Sequence, residues 1–378
     1  MRSRKTILCK VASLLQLLSI VICTLFLISC EKHDTGGGAE MDKTPYLKFV
    51  AAAEQTLMVK LERNYVLNKS LQYSVGGGEW TRLTANNAIA FGGEKGVLSL
   101  RGKSAEGLAE DFNKYAHIAF GNSDVTVACS GDIRTLVDYE NYSTADTRNS
   151  RFCNMFNGCA QLVTAPALPA TTLATECYYR MFLNCTNLEV APALPATIVP
   201  DLCYMLMFGN CSSLKTAPAL PATTLGQQCY SWMFSACESL KGAPELPATT
   251  LAEECYDHMF FNCTNLEVAP ALLPAKTLVK GCYYCMFCNC ENLTNAPKLP
   301  AKTLVHSCYR YMFNGCKKLN NITMLATDIS ETDCLVEWVL GVASTGVFTK
   351  AAEMTSLPSG KNGIPEGWTV EDYEESSN

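Results

Sequence analysis

Charged side chains are scarce in this sequence, and histidine is scarcer still. Only 17% of the 378 residues are charged, four are histidines, and 36 acidic against 30 basic residues give a net charge of -6. Without a basic excess there is no positive field to attract a phosphate backbone, which argues against nucleic acid as a partner. Because 48% of the residues are hydrophobic, we also exclude a disordered chain.

The sequence also lacks the motifs that enzymes use. It contains no HExxH pair, no G-x-S-x-G elbow and no nucleotide-binding loop, and the run Gly76-Gly77-Gly78 is not part of a phosphate-binding pattern. The histidines available as bases are His33, His117, His258 and His306. We therefore predict a protein that is not an enzyme, with no catalytic residues, no metal site and no cofactor.

No apolar run of membrane-spanning length follows the N-terminus, but the N-terminus itself is apolar. After the basic residues between Arg2 and Lys10, residues 11–29 carry no charge, and they end in Leu27-Ile28-Ser29-Cys30. This ending resembles the lipobox of bacterial lipoproteins. The resemblance implies a signal peptide over 1–29, lipidation of Cys30, and an exported protein held at the outer membrane or cell surface by its lipid. An uncleaved membrane anchor is the alternative.

Composition shifts divide the rest of the chain. We predict a flexible, glycine-rich tether over 30–44 and a small all-β, sandwich-like domain over 45–130, where short apolar-alternating runs are broken by glycine. A connector and N-cap follow over 131–150. The C-terminal end is predicted to hold a cap over 335–370 and an acidic tail over 371–378.

Residues 151–334 are occupied by an internal repeat. The dipeptide Met-Phe recurs at a constant interval that is lengthened once, by the inserted leucine in Leu272-Leu273, and its methionines are Met155, Met181, Met207, Met233, Met259, Met286 and Met312. A unit of this size cannot bury its own apolar face, so seven copies predict a solenoid in which equivalent residues stack in columns. We expect each unit to hold a helical turn followed by a short strand. In the unit of Met181 these lie near 178–183 and near 188–191.

The repeat unit reads C-Y-x-x-M-F-x-x-C-x-x-L-x-x-A-P-x-L-P-A-x-T-L. It resembles the leucine-rich repeats of BspA-like bacterial surface proteins, and the resemblance covers about half of the chain. It implies an α+β leucine-rich-repeat solenoid, and a function in adhesion to host matrix proteins or to other cells.

Fourteen of the 21 cysteines belong to two columns of this repeat. Cysteine behaves as a small, easily buried hydrophobe, and helical geometry would hold the two columns too far apart to bridge, so we predict reduced core thiols. Cys285 and Cys288 lie outside the columns in a dense cluster over 282–290. A local disulfide between them and a metal site are weaker alternatives, because no second pair of ligands stands nearby.

The two positions before each methionine vary most and carry aromatic and arginine side chains, which are frequent at binding hot spots. The binding residues predicted there are Tyr179, Arg180, Trp232, His258, Tyr284, Arg310 and Tyr311. We expect an extracellular protein as the partner. Sugar rings stacking on Tyr179, Trp232 and Tyr284 would instead make the protein a glycan-capturing lipoprotein, and local packing alone would make it a structural spacer.

Overall fold

The fold is given by a computed structural model that describes residues 43–104 and 107–374. The predicted signal peptide 1–29, the lipidation site Cys30 and most of the tether lie outside the described residues. Within the described part of the chain, no helix is long and apolar enough to cross a membrane.

The N-terminal strands form two antiparallel sheets. Their bounds are β1 (Leu47–Val50), β2 (Gln55–Leu61), β3 (Gln72–Val75), β4 (Thr81–Arg82), β5 (Ile89–Phe91), β6 (Leu98–Arg101), β7 (Ala116–Phe120) and β8 (Val127–Ser130). One sheet has the order β4-β3-β6-β1-β8, and the other has the order β5-β2-β7. Alternate residues such as Leu57 and Val59 in β2 are buried, as the period of a half-buried strand requires. The described residues also include three short 3₁₀ helices, at Gly93–Lys95, Ile133–Leu136 and Tyr142–Thr144.

The solenoid continues the first of these sheets. Strand β9 (Leu162–Thr164) of the first coil lies parallel to β8, and single parallel bridges carry the ladder onward through Val190 and Thr216. The predicted strand over 188–191 is thus reduced to one bridging residue, because the flanking prolines remove ladder donors. A second short pair, β10 (Ile198–Val199) with β11 (Thr224–Leu225), lies after the proline element.

Three further strands complete the C-terminal end, and the first of them belongs to the last repeat. Parallel strands β12 (Asn321–Met324), β13 (Val347–Lys350) and β14 (Thr369–Asp372) form one sheet. Trp338 takes the place of the repeat methionine, is fully buried, and donates its Nε1-H to the carbonyl of Gly363 at 2.9 Å. The indole therefore closes the core with its one polar group satisfied.

The coils stack in register, which confirms the predicted solenoid of about seven turns. Successive rings of the phenylalanine column, from Phe156 to Phe313, are nearly parallel, and their centroids lie 5.3 to 5.8 Å apart. The tyrosine column from Tyr178 to Tyr309 repeats at 5.6 to 6.0 Å. The core is thus built from columns that run from coil to coil.

The predicted helical turn over 178–183 is wrong, because this segment is a chain of tight turns. The amides of Met181 and Leu183 each donate to the carbonyl three residues earlier, at 3.1 and 3.2 Å. The alternate amides, of Tyr178, Arg180 and Phe182, donate instead to the next coil at 2.9 to 3.2 Å. Half of the amides are therefore used between coils, and a continuous helical ladder cannot form.

Every fourth residue of this turn segment has left-handed backbone dihedrals. In the second coil these residues are Glu176, Arg180 and Asn184, with φ of 57°, 52° and 61°. The column of Asn184 consists almost wholly of the residue types that tolerate this conformation, namely Gly158, Asn184, Asn210, Asn262, Asn289, Gly315 and Gly341. Ala236 is the exception, with φ of 57°.

We predict that Ala236→Gly stabilises the solenoid, because glycine removes the clash between Cβ and backbone that alanine meets at positive φ. The free energy of unfolding should rise by about 0.5–1 kcal/mol. Urea unfolding followed by circular dichroism measures this change. The matched control is Ala160→Gly, whose backbone lies outside the left-handed region, and there the same substitution should destabilise.

The cysteine columns form part of the core. All 18 cysteines of the described residues are buried and unbridged. In the second column each thiol from Cys185 to Cys316 donates a hydrogen bond to a backbone carbonyl of the preceding coil at 3.0 to 3.2 Å, as in the pair Cys237 with Phe208. Burial raises the pKa of the Cys263 thiol to about 12, so the thiols stay protonated and remain donors.

Cys237→Ala should lower the free energy of unfolding by about 1–2 kcal/mol, since it removes both a buried side chain and the donor to Phe208. Urea unfolding of the reduced protein measures the loss. Glu238→Ala, next along the chain and exposed, is the control and should change stability by less than about 0.5 kcal/mol. Equal effects of the two substitutions would contradict a structural role for the thiol column.

Candidate functional site

Five aromatic side chains form a continuous stripe along the turn segments of four consecutive coils. The stripe consists of Trp232, His258, Phe261, Tyr284 and Tyr311. The Trp232 and His258 rings stack with centroids 3.9 Å apart and planes 8° from parallel. Tyr284 lies 5.0 Å from His258, and Tyr311 meets Tyr284 edge to face at 5.8 Å. The stripe is therefore one packed cluster.

The backbone register places these rings side by side. The amide of Trp232 donates to Asp257 of the next coil at 2.8 Å, and that of His258 donates to Tyr284 at 2.9 Å. Trp232, His258 and Tyr311 all have left-handed dihedrals, with φ of 51° to 57°. This conformation is costly for a bulky side chain, by about 1–3 kcal/mol at each position. We infer that ring packing along the stripe offsets part of that cost.

Polar groups flank the rings. Asp257 accepts from Ser231 Oγ at 3.1 Å through Oδ2, and its Oδ1 lies 2.5 Å from Nδ1 of His258. These contacts fix the plane of the imidazole ring against Trp232. At the other end of the stripe, the Arg310 guanidinium lies 5.1 Å from the centroid of the Tyr311 ring and pairs with Asp333 at 3.1 Å.

The structure brings five of the seven predicted binding residues together and separates the other two. Trp232, His258, Tyr284 and Tyr311 lie in the stripe, and Arg310 lies at its end. Tyr179 and Arg180 lie two coils before Trp232, at the N-terminal end of the solenoid. The stripe is therefore shorter than the run of predicted binding residues.

A loop of the N-terminal sheets covers the outlying pair. The Phe112 ring meets the Tyr179 ring edge to face at 6.0 Å, and Tyr179 keeps only 9% of its surface exposed. The Arg180 guanidinium lies 4.8 Å from the centroid of the same ring. Tyr179 therefore packs between the N-terminal sheets and the first coils, and its role in binding stays a prediction.

Phe261 is the stripe residue that the sequence analysis missed. It follows the core Phe260, at a position where other coils hold Leu183, Gly209 or Ser235. An aromatic ring at a position that is aliphatic, small or polar elsewhere was the available signal. Its ring contacts both Trp232 and His258, with centroids 5.3 and 5.4 Å away.

The stripe is suited to contact rather than to chemistry. Its side chains are half-buried, and the face that Trp232 turns toward His258 is covered by that ring. Sugar recognition by stacking needs an open ring face, whereas a protein partner can pack against ring edges. Among the described residues, no group of three or more histidine, cysteine, aspartate or glutamate side chains could hold a metal ion.

Comparisons with known proteins do not assign a function to the stripe. No protein family, curated protein or solved structure with which the chain was compared matches it. The interpretation of the stripe therefore depends on the residues themselves.

A double-mutant cycle should detect the ring packing in the stripe. We expect Trp232→Ala and His258→Ala to be coupled by about 0.5–1.5 kcal/mol in the free energy of unfolding. Either single substitution already removes their stacked contact, so the double variant cannot lose it a second time. Urea unfolding of the two single variants and the double variant measures the coupling. Trp232→Ala with Tyr311→Ala is the control pair; these rings are separated by intervening coils and should be additive within about 0.5 kcal/mol.

Proposed function

We propose that this protein is a non-enzymatic cell-surface lipoprotein whose solenoid binds another protein through the aromatic stripe. The lipobox-like ending at Cys30 supports export and lipid anchoring at the outer membrane or cell surface. The repeat consensus supports membership of the BspA-like leucine-rich-repeat surface proteins, with adhesion to host matrix or to other cells as the function.

The stripe is the observation that carries this proposal. Trp, Tyr and Arg are the residues most often found at protein-binding hot spots, and here Trp232, Tyr284, Arg310 and Tyr311 lie close together on a rigid scaffold. The coil spacing gives the stripe a length of roughly 17 Å. Because neighbouring rings already hold each other in place, little side-chain entropy would be lost on binding.

The covered face of Trp232 favours a protein over a glycan as the partner. A sugar stacked on this face of Trp232 would have to displace His258, which is also held by Asp257. A protein partner can instead cover the ring edges and pair with Arg310 or Asp257 at the margins of the stripe. Glycan capture and a purely structural spacer remain the outcomes that the experiment must separate.

The test is binding of the purified, reduced chain to an array that carries both extracellular-matrix proteins and glycans. We expect saturable binding to a protein, and at least a tenfold loss of affinity in the double variant Trp232→Ala with Tyr284→Ala. A hot-spot truncation costs about 2 kcal/mol or more, which is more than tenfold.

The control variant is Ile198→Ala with Val268→Ala, which removes two large apolar side chains, 58% and 62% exposed, outside the stripe. It should bind as the unmodified chain does. Binding to glycans alone would establish the capture function. Equal losses in both variants, or no binding by a folded sample, would overturn the proposal and leave the spacer function.

A further inference from the structure

Two cysteines of the repeat differ from the column cysteines and from Cys153, which lies outside the columns but is fully buried. Cys285 and Cys288 lie outside both columns, at positions that hold Arg180 and Leu183 in the second coil. Their relative exposures are 5% and 8%, whereas the second-column thiols from Cys159 to Cys316 are 0 or 1% exposed. Both therefore keep some contact with solvent, while Met286 and Phe287 between them are fully buried in the core.

The backbone holds the two thiols close together. The amide of Cys288 donates to the carbonyl of Cys285 at 3.2 Å, which closes a four-residue turn. Such a turn brings its end Cα atoms within about 7 Å, and a disulfide spans Cα separations of about 4.4–6.8 Å. A bridge can thus form without opening the turn segment.

Solvent contact divides the roles of the two thiols. Cys288 is the more exposed of the pair, at 8% against 5% for Cys285, so a dissolved disulfide reaches Cys288 first. The neighbouring Cys285 side chain lowers the pKa of Cys288, whereas burial raises the pKa of every second-column thiol from Cys159 to Cys316. Cys288 is therefore the nucleophile of the pair, and Cys285 is the resolving thiol.

We propose that Cys285 and Cys288 form a reactive dithiol site that exchanges with small-molecule disulfides and closes to an intramolecular disulfide. The site lies beside the aromatic stripe, since Cys285 occupies the column position between His258 and Tyr311. The proposal does not depend on the proposed function.

The thiol–disulfide exchange takes two steps. The Cys288 thiolate attacks one sulfur of the disulfide, whose S–S bond breaks, and one thiolate leaves while a mixed disulfide forms on Cys288. Cys285 then loses its proton to solvent and attacks the Cys288 sulfur, which expels the second thiolate. Two electrons pass from the dithiol to the external disulfide, which is reduced to two thiols.

Oxidised glutathione is the probe for the test. The reduced, folded chain is incubated with it, quenched with an alkylating agent, and mapped by peptide mass spectrometry over time. We expect the first product to lack two hydrogens within the peptide that contains Cys285 and Cys288, while the column cysteines are still alkylated only after unfolding. A first reaction at a column cysteine would overturn the proposal.

Single variants separate the two roles. Cys285→Ser should trap glutathione on Cys288, because no resolving thiol remains. Cys288→Ser should slow the fast reaction by about tenfold or more, since the nucleophile is lost. The column variant Cys237→Ala is the matched control and should react at the unmodified rate. Unchanged reactivity in Cys288→Ser would contradict the proposal, and the map of the unmodified chain decides the question even if a variant fails to fold.

Discussion

Alternate backbone amides of each coil donate to carbonyls of the next coil, and the rest of the solenoid depends on this register. It fixes which side chains stack, and so it produces the phenylalanine, tyrosine and cysteine columns. The one lengthened repeat shows how strictly the register is kept. The Phe260 amide still donates to the carbonyl of the next repeat methionine, Met286, although the inserted leucine lies between them. The extra residue is accommodated outside the turn segment, where Leu272 is 38% exposed and Leu273 is buried.

The periodicity of the sequence was enough to predict the solenoid and its columns, because in a stack of coils the residues one repeat apart lie next to one another. It did not predict the local backbone of the turn segment. Glu176 and Arg180 carry no glycine-like signal for positive φ, and only the column of Asn184 indicates left-handed dihedrals. The period also brought Trp232 and Tyr284 into one stripe. It could not reveal that Phe112 covers Tyr179, since that contact joins the repeat to a segment outside it.

Cysteine suits the second column because it combines two properties that other small residues offer singly. Alanine would pack in the same narrow space but donate nothing, and serine would donate but would be costlier to bury. A thiol packs as a hydrophobe and still donates to the carbonyl of the preceding coil. A bridge between cysteines would remove these donors. We therefore expect the second-column thiols and the Cys285–Cys288 pair to respond differently to oxidants.

The structure at the two ends of the solenoid also disfavours end-to-end association of chains. Parallel coils with free ends could add further chains end to end and grow into fibres. Here the first coil is covered by β7, whose Ile118 amide donates to the Met155 carbonyl at 2.8 Å. The last strand of the described residues, β14, carries Glu371 and Asp372, and Asp372 pairs with Lys350. A second copy would have to displace a sheet at the first end and pack beside the Glu371 carboxylate at the other.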